Sequence, residues 1–255
     1  VFWQIVIGAL FMTAINMIRG KKLALGPRYL QLYLLLAMIG TVLPNTASYQ
    51  AAVYLPSGVL SLLLSIVPMF AFPIALAMGL DRFSLRRLGG LGFGLAGVIL
   101  LIAPGSSLRM DLPVFWILVA LIAGFCYAVE GNIVAKWGTL DLDALQVLQG
   151  ASIIGAIIVL PVTLLTGQFI NPALPWDTPQ IALVVSSIVH VLVYSGYMWL
   201  VGRAGSVFAV QVSYLVTGFG LIWARIILSE TYGPTLWIAL AMMFVGLYLV
   251  QPRPK

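Results

Sequence analysis

Charge is almost missing from this sequence: Asp, Glu, Lys and Arg together make up 8% of its 255 residues. A soluble globular domain carries about 25%. With 62% hydrophobic residues and a mean hydropathy of +1.10, this chain is expected in lipid instead. Cysteine and histidine occur once each, as Cys126 and His190. One cysteine permits no intramolecular disulfide, and the two residues cannot build a closed four-ligand zinc site, so no metal and no cofactor is expected. No GxxxxGK[ST] phosphate loop and no HExxH motif is present. A Ser65–His190 dyad lacks any GxSxG-like elbow. An enzyme is therefore not expected, and no residue is assigned a catalytic role. No basic leader or small-residue cleavage site precedes the first apolar run.

A hydrocarbon core about 30 Å thick needs roughly 20 apolar residues as helix. That ruler predicts nine spans, at about 1–18, 29–53, 57–80, 87–104, 113–136, 144–167, 179–201, 206–228 and 234–251. The joints carry breakers: Pro27, Pro56-Ser57-Gly58, Pro104-Gly105, Pro113, the 171–179 loop, Gly205 and Gly233-Pro234. No stretch is long enough for a soluble domain, so 1–255 reads as one membrane domain. The net charge of +6 would suggest nucleic acid in a soluble protein, but here the basic residues lie in short joints. Arg19, Lys21, Lys22, Arg28, Arg82, Arg86, Arg87, Lys136, Arg203, Arg253 and Lys255 fall on one side, against Arg109 and Arg225 on the other. The positive-inside rule makes the first side cytoplasmic, the C-terminus included.

The chain also repeats itself. The segment from Tyr49 to Leu101 returns 148 residues later, pairing Tyr49 with Tyr197, Ser65 with Ser213, Ile74 with Ile222 and Leu80 with Leu228. One inserted residue then brings Asp81 onto Glu230, Gly97 onto Gly246 and Leu100 onto Leu249. The helices at 57–80 and 206–228 cross in opposite senses, so the copies are inverted, as in many secondary transporters. The expected repeats are 1–105, with four spans, and 112–252, with five. By symmetry a tenth helix is expected ahead of Val1. Small residues four apart (Gly90 and Gly94, Ala120 and Gly124, Gly124 and Ala128, Ala151 and Gly155) suit close helix packing or ordinary membrane-helix glycine enrichment.

The run YLPSGVLSLLLSIVPMFAFPIALAMGLDRFSLRRLGGLGFGLAGVILL resembles the drug/metabolite transporter (DMT) superfamily, in its EamA-type branch. Pro68, Leu80-Asp81 and Gly94 to Gly97 look like that family's mid-helix proline, acidic turn and glycine-rich closing helix. Leu228-Ser229-Glu230 and Gly246 look like their second copies, whereas Val216 stands where the second proline would be. The resemblance implies an all-α, ten-helix fold with an inverted repeat, and cytoplasmic termini. It also implies export or exchange of small metabolites such as amino acids, across a cavity that the family's first helix helps to line. The expected setting is a bacterial inner membrane, with a small-molecule substrate, the lipid bilayer as surroundings, no nucleic acid, and a monomer or homodimer.

Candidate site residues come from polar steps on apolar helices. Glu130 lies inside its span, in CYAVEGNIVAK, where a carboxylate is costly and a functional role is the default. Its bland alternative is an interfacial pair with Lys136 or a loop arginine. His190 heads a stripe with Tyr194 and Tyr197, and Ser187 precedes it; it is read either as a structural histidine or as lining a cavity and carrying a proton. Thr41, Asn45 and Tyr49 step by four around a Pro44 kink that frees a backbone carbonyl. Ser57, Ser61 and Ser65 step by four, while Tyr127 with Glu130 and Tyr214 with Thr217 step by three. The expected substrate-binding set is Asn45, Tyr49, Ser61, Ser65, Tyr127, Glu130, His190, Tyr194 and Tyr214, with Glu130 and His190 for proton coupling. The alternative for the serines and threonines is hydrogen bonding between helices. Trp116, Trp137, Trp176 and Trp237 are read as interfacial anchors, and Glu230 as a helix-end residue solvated by headgroups. The competing function is a passive channel or lipid scramblase on the same fold.

Overall fold

The computed structural model describes residues 1–102, 114–173, 176–210 and 212–250. The joint holding Pro104-Gly105, Arg109, Asp111 and Pro113 lies outside them, as do Arg253 and Lys255. Backbone polar groups in lipid must be satisfied within the segment, and helices do that. The described chain accordingly folds as nine helical units. They begin with α1 (Phe2–Ile18) and a rod made of α2 (Pro27–Leu36), a π-helical stretch (Ala37–Val42) and α3 (Leu43–Ala52). Next come α4 (Ser57–Leu64) with α5 (Val67–Ala77), α6 (Leu85–Ile102) and α7 (Val114–Trp137). A short extended stretch, Gly138–Asp141, leads to α8 (Ala144–Leu165) and α9 (Thr178–Ala204). The chain closes with α10 (Ser206–Ala209), α11 (Val212–Ile227) and α12 (Pro234–Val250). Five of the units, Pro27–Ala52, Ser57–Ala77, Val114–Trp137, Ala144–Leu165 and Thr178–Ala204, are long and apolar enough to cross a membrane; Phe2–Ile18 is apolar but shorter.

Three of these units depart from plain rods. Pro44 lacks an N–H and its ring crowds the carbonyl four residues back, and the turn just before it widens into the π-helix. Pro68, in the first turn of α5, divides the 57–80 span at Ser65-Ile66. The 206–228 span is divided as well, between α10 and α11, although no proline marks the place. Its break comes earlier along the helix than the aligned Ser213, so the two copies match in plan and differ in detail.

Counterpart helices pack in antiparallel pairs. A Cβ on Gly246 of α12 would lie 2.6 Å from the Gly90 carbonyl oxygen and 3.1 Å from the Gly94 nitrogen of α6. Farther along, a Cβ on Gly97 would lie 2.9 Å from the Ala239 carbonyl oxygen. Ascending numbers on α6 therefore meet descending numbers on α12. Between the other pair, Thr217 of α11 donates through Oγ1 to the Ser61 carbonyl of α4 at 2.7 Å. Two antiparallel counterpart pairs are what an inverted repeat produces. The fold is all-α and built from inverted repeats.

Three apolar clusters hold the bundle, the smallest of them Val67, Ala71, Ala128 and Val210, and two are extensive. One joins Val59, Leu62, Ile117, Leu221, Leu236 and Met243 from α4, α7, α11 and α12. The other joins Met12, Tyr33, Leu36, Val147, Val191 and Met198 from α1, α2, α8 and α9. Polar ties supplement them: Asn16 donates to Gln149 at 2.8 Å, and Gln149 donates to Thr13 at 2.9 Å, fastening α1 to α8. At one end of the bundle Arg19 pairs with Asp143 at 2.6 Å. Lys136 Nζ donates there to the Met78 carbonyl at 3.0 Å, not to Glu130. Asp143 caps α8 through the Gln146 N–H. Burial pushes its carboxyl up, but Arg19 and that N–H outweigh the effect and hold it below the ordinary range.

The glycine contact between α6 and α12 yields a direct expectation. Gly246→Ala puts a methyl against backbone that has no rotamer to yield, and should cost about 1–3 kcal/mol. Gly89→Ala meets open space and should leave stability unchanged or slightly raised. Thermal unfolding of the purified protein in detergent distinguishes the two.

Candidate functional site

Beside the smallest cluster, which gives it Val67 and Val210, a cavity of about 470 Å³ lies where α3, α5, α7, α9 and α11 converge. Its polar and aromatic lining is Gln4, Tyr49, Tyr127, His190, Tyr194 and Tyr197, with Ser186 and Ser213; Leu64, Val67, Val193 and Val216 supply apolar wall. A small side niche of about 20 Å³ adjoins it, reaching Thr41, Asn45 and Ser152. Ligand cavities run to roughly 300–1,000 Å³ with few polar groups on an apolar wall, and this one fits that description.

The sequence stripes converge here in part. Tyr49 on α3 donates to Gln4 Oε1 of α1 at 2.6 Å, and Tyr127 on α7 donates to Asn45 Oδ1 at 3.1 Å. Asn45 is buried and its amide nitrogen has no partner. The Tyr194 and Tyr197 rings stack at 6.2 Å with 10° between planes. His190 lies half-buried beside them, its ring 5.5 Å from Tyr194. Glu130 is 0% exposed. Its Oε1 accepts a hydrogen bond from Tyr194, and its Oε2 has no hydrogen-bond partner. The acid therefore sits directly behind the tyrosine wall.

Other expected members lie elsewhere. Ser61 and Ser65 do not line the cavity. The Ser61 side chain lies against Gly220, and Ser65, fully buried, donates to the Leu62 carbonyl at 2.6 Å and contacts Met243 Sδ at 2.8 Å. Both serines lie at contacts between helices, Ser61 against α11 and Ser65 against α12. The Tyr214 side chain is outside the described residues. Thr217 bonds backbone carbonyls of α4 and α11. Trp116 stacks on Tyr54 at 4.1 Å.

Three residues absent from the expected set matter. Gln4 and Tyr197 line the cavity directly. Asn132, also 0% exposed, donates to the carbonyls of Ala71 at 3.0 Å and Ala128 at 2.9 Å and accepts from Ser206 at 2.8 Å, so it joins α5, α7 and α10. Its signal was available: an amide two residues from Glu130, deep in an apolar helix, must find partners. Among the described residues no group of three or more His, Cys, Asp or Glu could hold a metal ion.

The paired acids close off the two ends differently. Asp81 forms a part-buried ion pair with Arg87 and accepts from the Arg82 N–H at 2.7 Å. Its counterpart Glu230, expected to be solvated, instead reaches across to the start of α4. It accepts from the Ser57 N–H at 3.0 Å and the Gly58 N–H at 3.1 Å, and Tyr232 donates to it at 2.7 Å. Burial and the Glu230 carboxylate keep the Tyr232 hydroxyl protonated, above the usual phenol range. The free N–H groups of a helix start and its positive dipole end favour a carboxylate there. Glu230→Ala should therefore cost about 1 kcal/mol in thermal unfolding, and Tyr232→Phe less.

Comparison with known proteins points the same way. The model of the EamA-like transporter family matches residues 1–103 and again 114–251. Fourteen chains of solved structures match. One of them, described only as "Crystal structure of protein", superposes with a TM-score of 0.71 at 17% identity, over 97% of this chain and 85% of its own. At that identity the likeness speaks for the fold alone. No curated protein matches the sequence. With two consecutive family matches taking in nearly all of its length, this chain belongs to the EamA-like transporter family, and so to the DMT superfamily.

Proposed function

We propose that this chain is a secondary transporter that exports small metabolites, amino acids first among them, by alternating access. The observation that carries the reading is the tyrosine-lined cavity at the meeting of the two halves, with the buried Glu130 carboxylate behind it. Tyrosine faces and valine wall suit an apolar or aromatic side chain. The hydroxyls of Tyr49, Tyr127 and Tyr194, with Gln4 and His190, offer hydrogen bonds to its polar end. A cationic amine would also be favoured by the tyrosine faces and by Glu130.

Alternation needs walls that move. The divided units α4–α5 and α10–α11 flank the cavity, and each has its own joint, near mid-length in the first and close to the start in the second. The Glu230 bonds to the start of α4 hold one end of that pair together, while Asn132 ties α10 to α5 and α7 at the other. Exchange of one contact for the other would expose the cavity to each side in turn. Glu130 is the group best placed to carry a coupling proton, since it is buried, borders the cavity wall and faces no basic side chain among the described contacts; His190 is the second candidate. Coupling one proton to one substrate would give about tenfold accumulation per pH unit across the membrane. The setting proposed is a bacterial inner membrane with the C-terminus cytoplasmic, as the loop charges favour.

Counterflow in proteoliposomes tests the reading. Vesicles preloaded with a mixed amino-acid pool should take up labelled members in a saturable and competed manner, and an imposed pH gradient should bias the uptake. Glu130→Gln should retain exchange but lose its response to the gradient. Linear, uncompeted flux would identify a passive channel or scramblase. The absence of flux for every amino acid would remove that substrate class.

A further inference from the structure

The Tyr194 hydroxyl stands between two acceptors. One is Glu130 Oε1; the other is the Gly40 carbonyl, 3.3 Å away on the π-helical turn. Gly40 is pressed against this pair so closely that a Cβ there would collide with Glu130 Oε1 and Tyr194 Oη. Four residues on stands Pro44, which in the α-helical register has no N–H to give and whose ring crowds the carbonyl four residues back. A buried backbone carbonyl needs a donor, and Tyr194 is in place to be one. A phenol, however, has a single proton to give.

We propose that Tyr194 is a two-position hydrogen-bond switch that reports the protonation of Glu130 to the Pro44 bend of the 27–52 rod. The proposal rests on Glu130 taking up and releasing a proton, as in the functional reading above. With Glu130 ionised, the carboxylate is the stronger acceptor; Tyr194 gives its proton to Oε1, and the Gly40 carbonyl goes without it. When a proton arrives on Glu130, the carboxylic acid becomes a donor to the Tyr194 oxygen. The Tyr194 proton is then released to the Gly40 carbonyl, closing a chain from Glu130 through Tyr194 to Gly40. One proton enters and no other group changes charge.

Few other groups compete for this role. Along α7, Cys126 and Tyr127 flank Glu130, and Lys136 is engaged with the Met78 carbonyl. From α9 come His190 and Tyr197, with Arg203 at the far end, and from α3 comes Tyr49. The π-turn, α4, α5 and α10 contain no titratable side chain. π-Helical turns gather at functional sites, and here the turn is where a proton on one helix meets the bend of another.

The experiment is hydrogen exchange of peptides spanning 37–46 in lipid nanodiscs across a pH series, corrected for intrinsic rates, with peptides from α6 as an internal reference. Wild-type protein should exchange in 37–46 about two- to tenfold more slowly at acid pH, the worth of one added hydrogen bond. Tyr194→Phe, which keeps the ring, should hold the faster rate at every pH. Glu130→Gln, whose amide donates as the protonated acid does, should hold the slower rate at every pH. A Tyr194→Phe protein that follows the wild-type curve overturns the switch, as does a Glu130→Gln protein that still responds to pH. Counterflow on the same variants separates the two ideas. If Glu130→Gln loses its gradient response while Tyr194→Phe exchanges hydrogen like wild type, the switch alone fails. If the exchange pattern is as expected while Glu130→Gln transports with full gradient response, the coupling reading alone fails.

Discussion

No water reaches the interior of a bilayer to repair an interrupted helix, so each interruption has to be satisfied by a neighbour. That requirement organises this molecule. The rod ahead of Pro44 brings its loosened turn to Tyr194 and Glu130. The division between α10 and α11 lies beside Ser206, which Asn132 fastens to α5 and α7. The start of α4, where N–H groups lack helical partners, is met by Glu230 from the far end of α11. In every case the partner comes from another helix, and in the first and the last from the opposite repeat. Helix breaks are thus also places where the halves are in contact.

The cavity follows from the same arrangement. Helices that bend or divide along their length cannot pack flush, and the gap between them is walled by tyrosines. These side chains combine apolar area with one hydroxyl each, and the hydroxyls bond sideways to one another's helices (Tyr49 to Gln4, Tyr127 to Asn45). The wall is therefore pre-arranged before any substrate arrives. Placing the single deep carboxylate behind that wall keeps it dry while leaving it one hydroxyl away from the cavity.

Much of the fold was legible in the sequence because hydropathy, breakers and loop charge all act at the scale of a whole span. The nine units and the counterpart pairing of the 57–80 and 206–228 helices needed nothing finer. The Glu130 reading was also within reach, since a lone acid inside an apolar helix stands out. Which way each helix face turns was much less visible. Where both sides of a helix are apolar, periodicity carries little rotational information; Ser61 and Ser65 accordingly face the helix contacts, whereas Gln4 and Tyr197 face the cavity. Pro68 announced one helix division, but the corresponding one near Val210 had no residue to mark it. Long-range reach was equally hidden: nothing local to Glu230 foretold that it would cap a helix more than 170 residues earlier in the chain.

The glycine seam between α6 and α12 bears on how such a molecule can move. At Gly246 its contacts run from backbone to backbone, and at Gly97 the Ala239 carbonyl stands nearer than the Met243 side chain. A joint of that kind tolerates little sliding, because any shift in register drives a carbonyl into a neighbouring main chain. It behaves as a fixed axle shared by both repeats. In the proposed transport cycle, rearrangement around the cavity would then fall to the divided helices, with the axle kept in register.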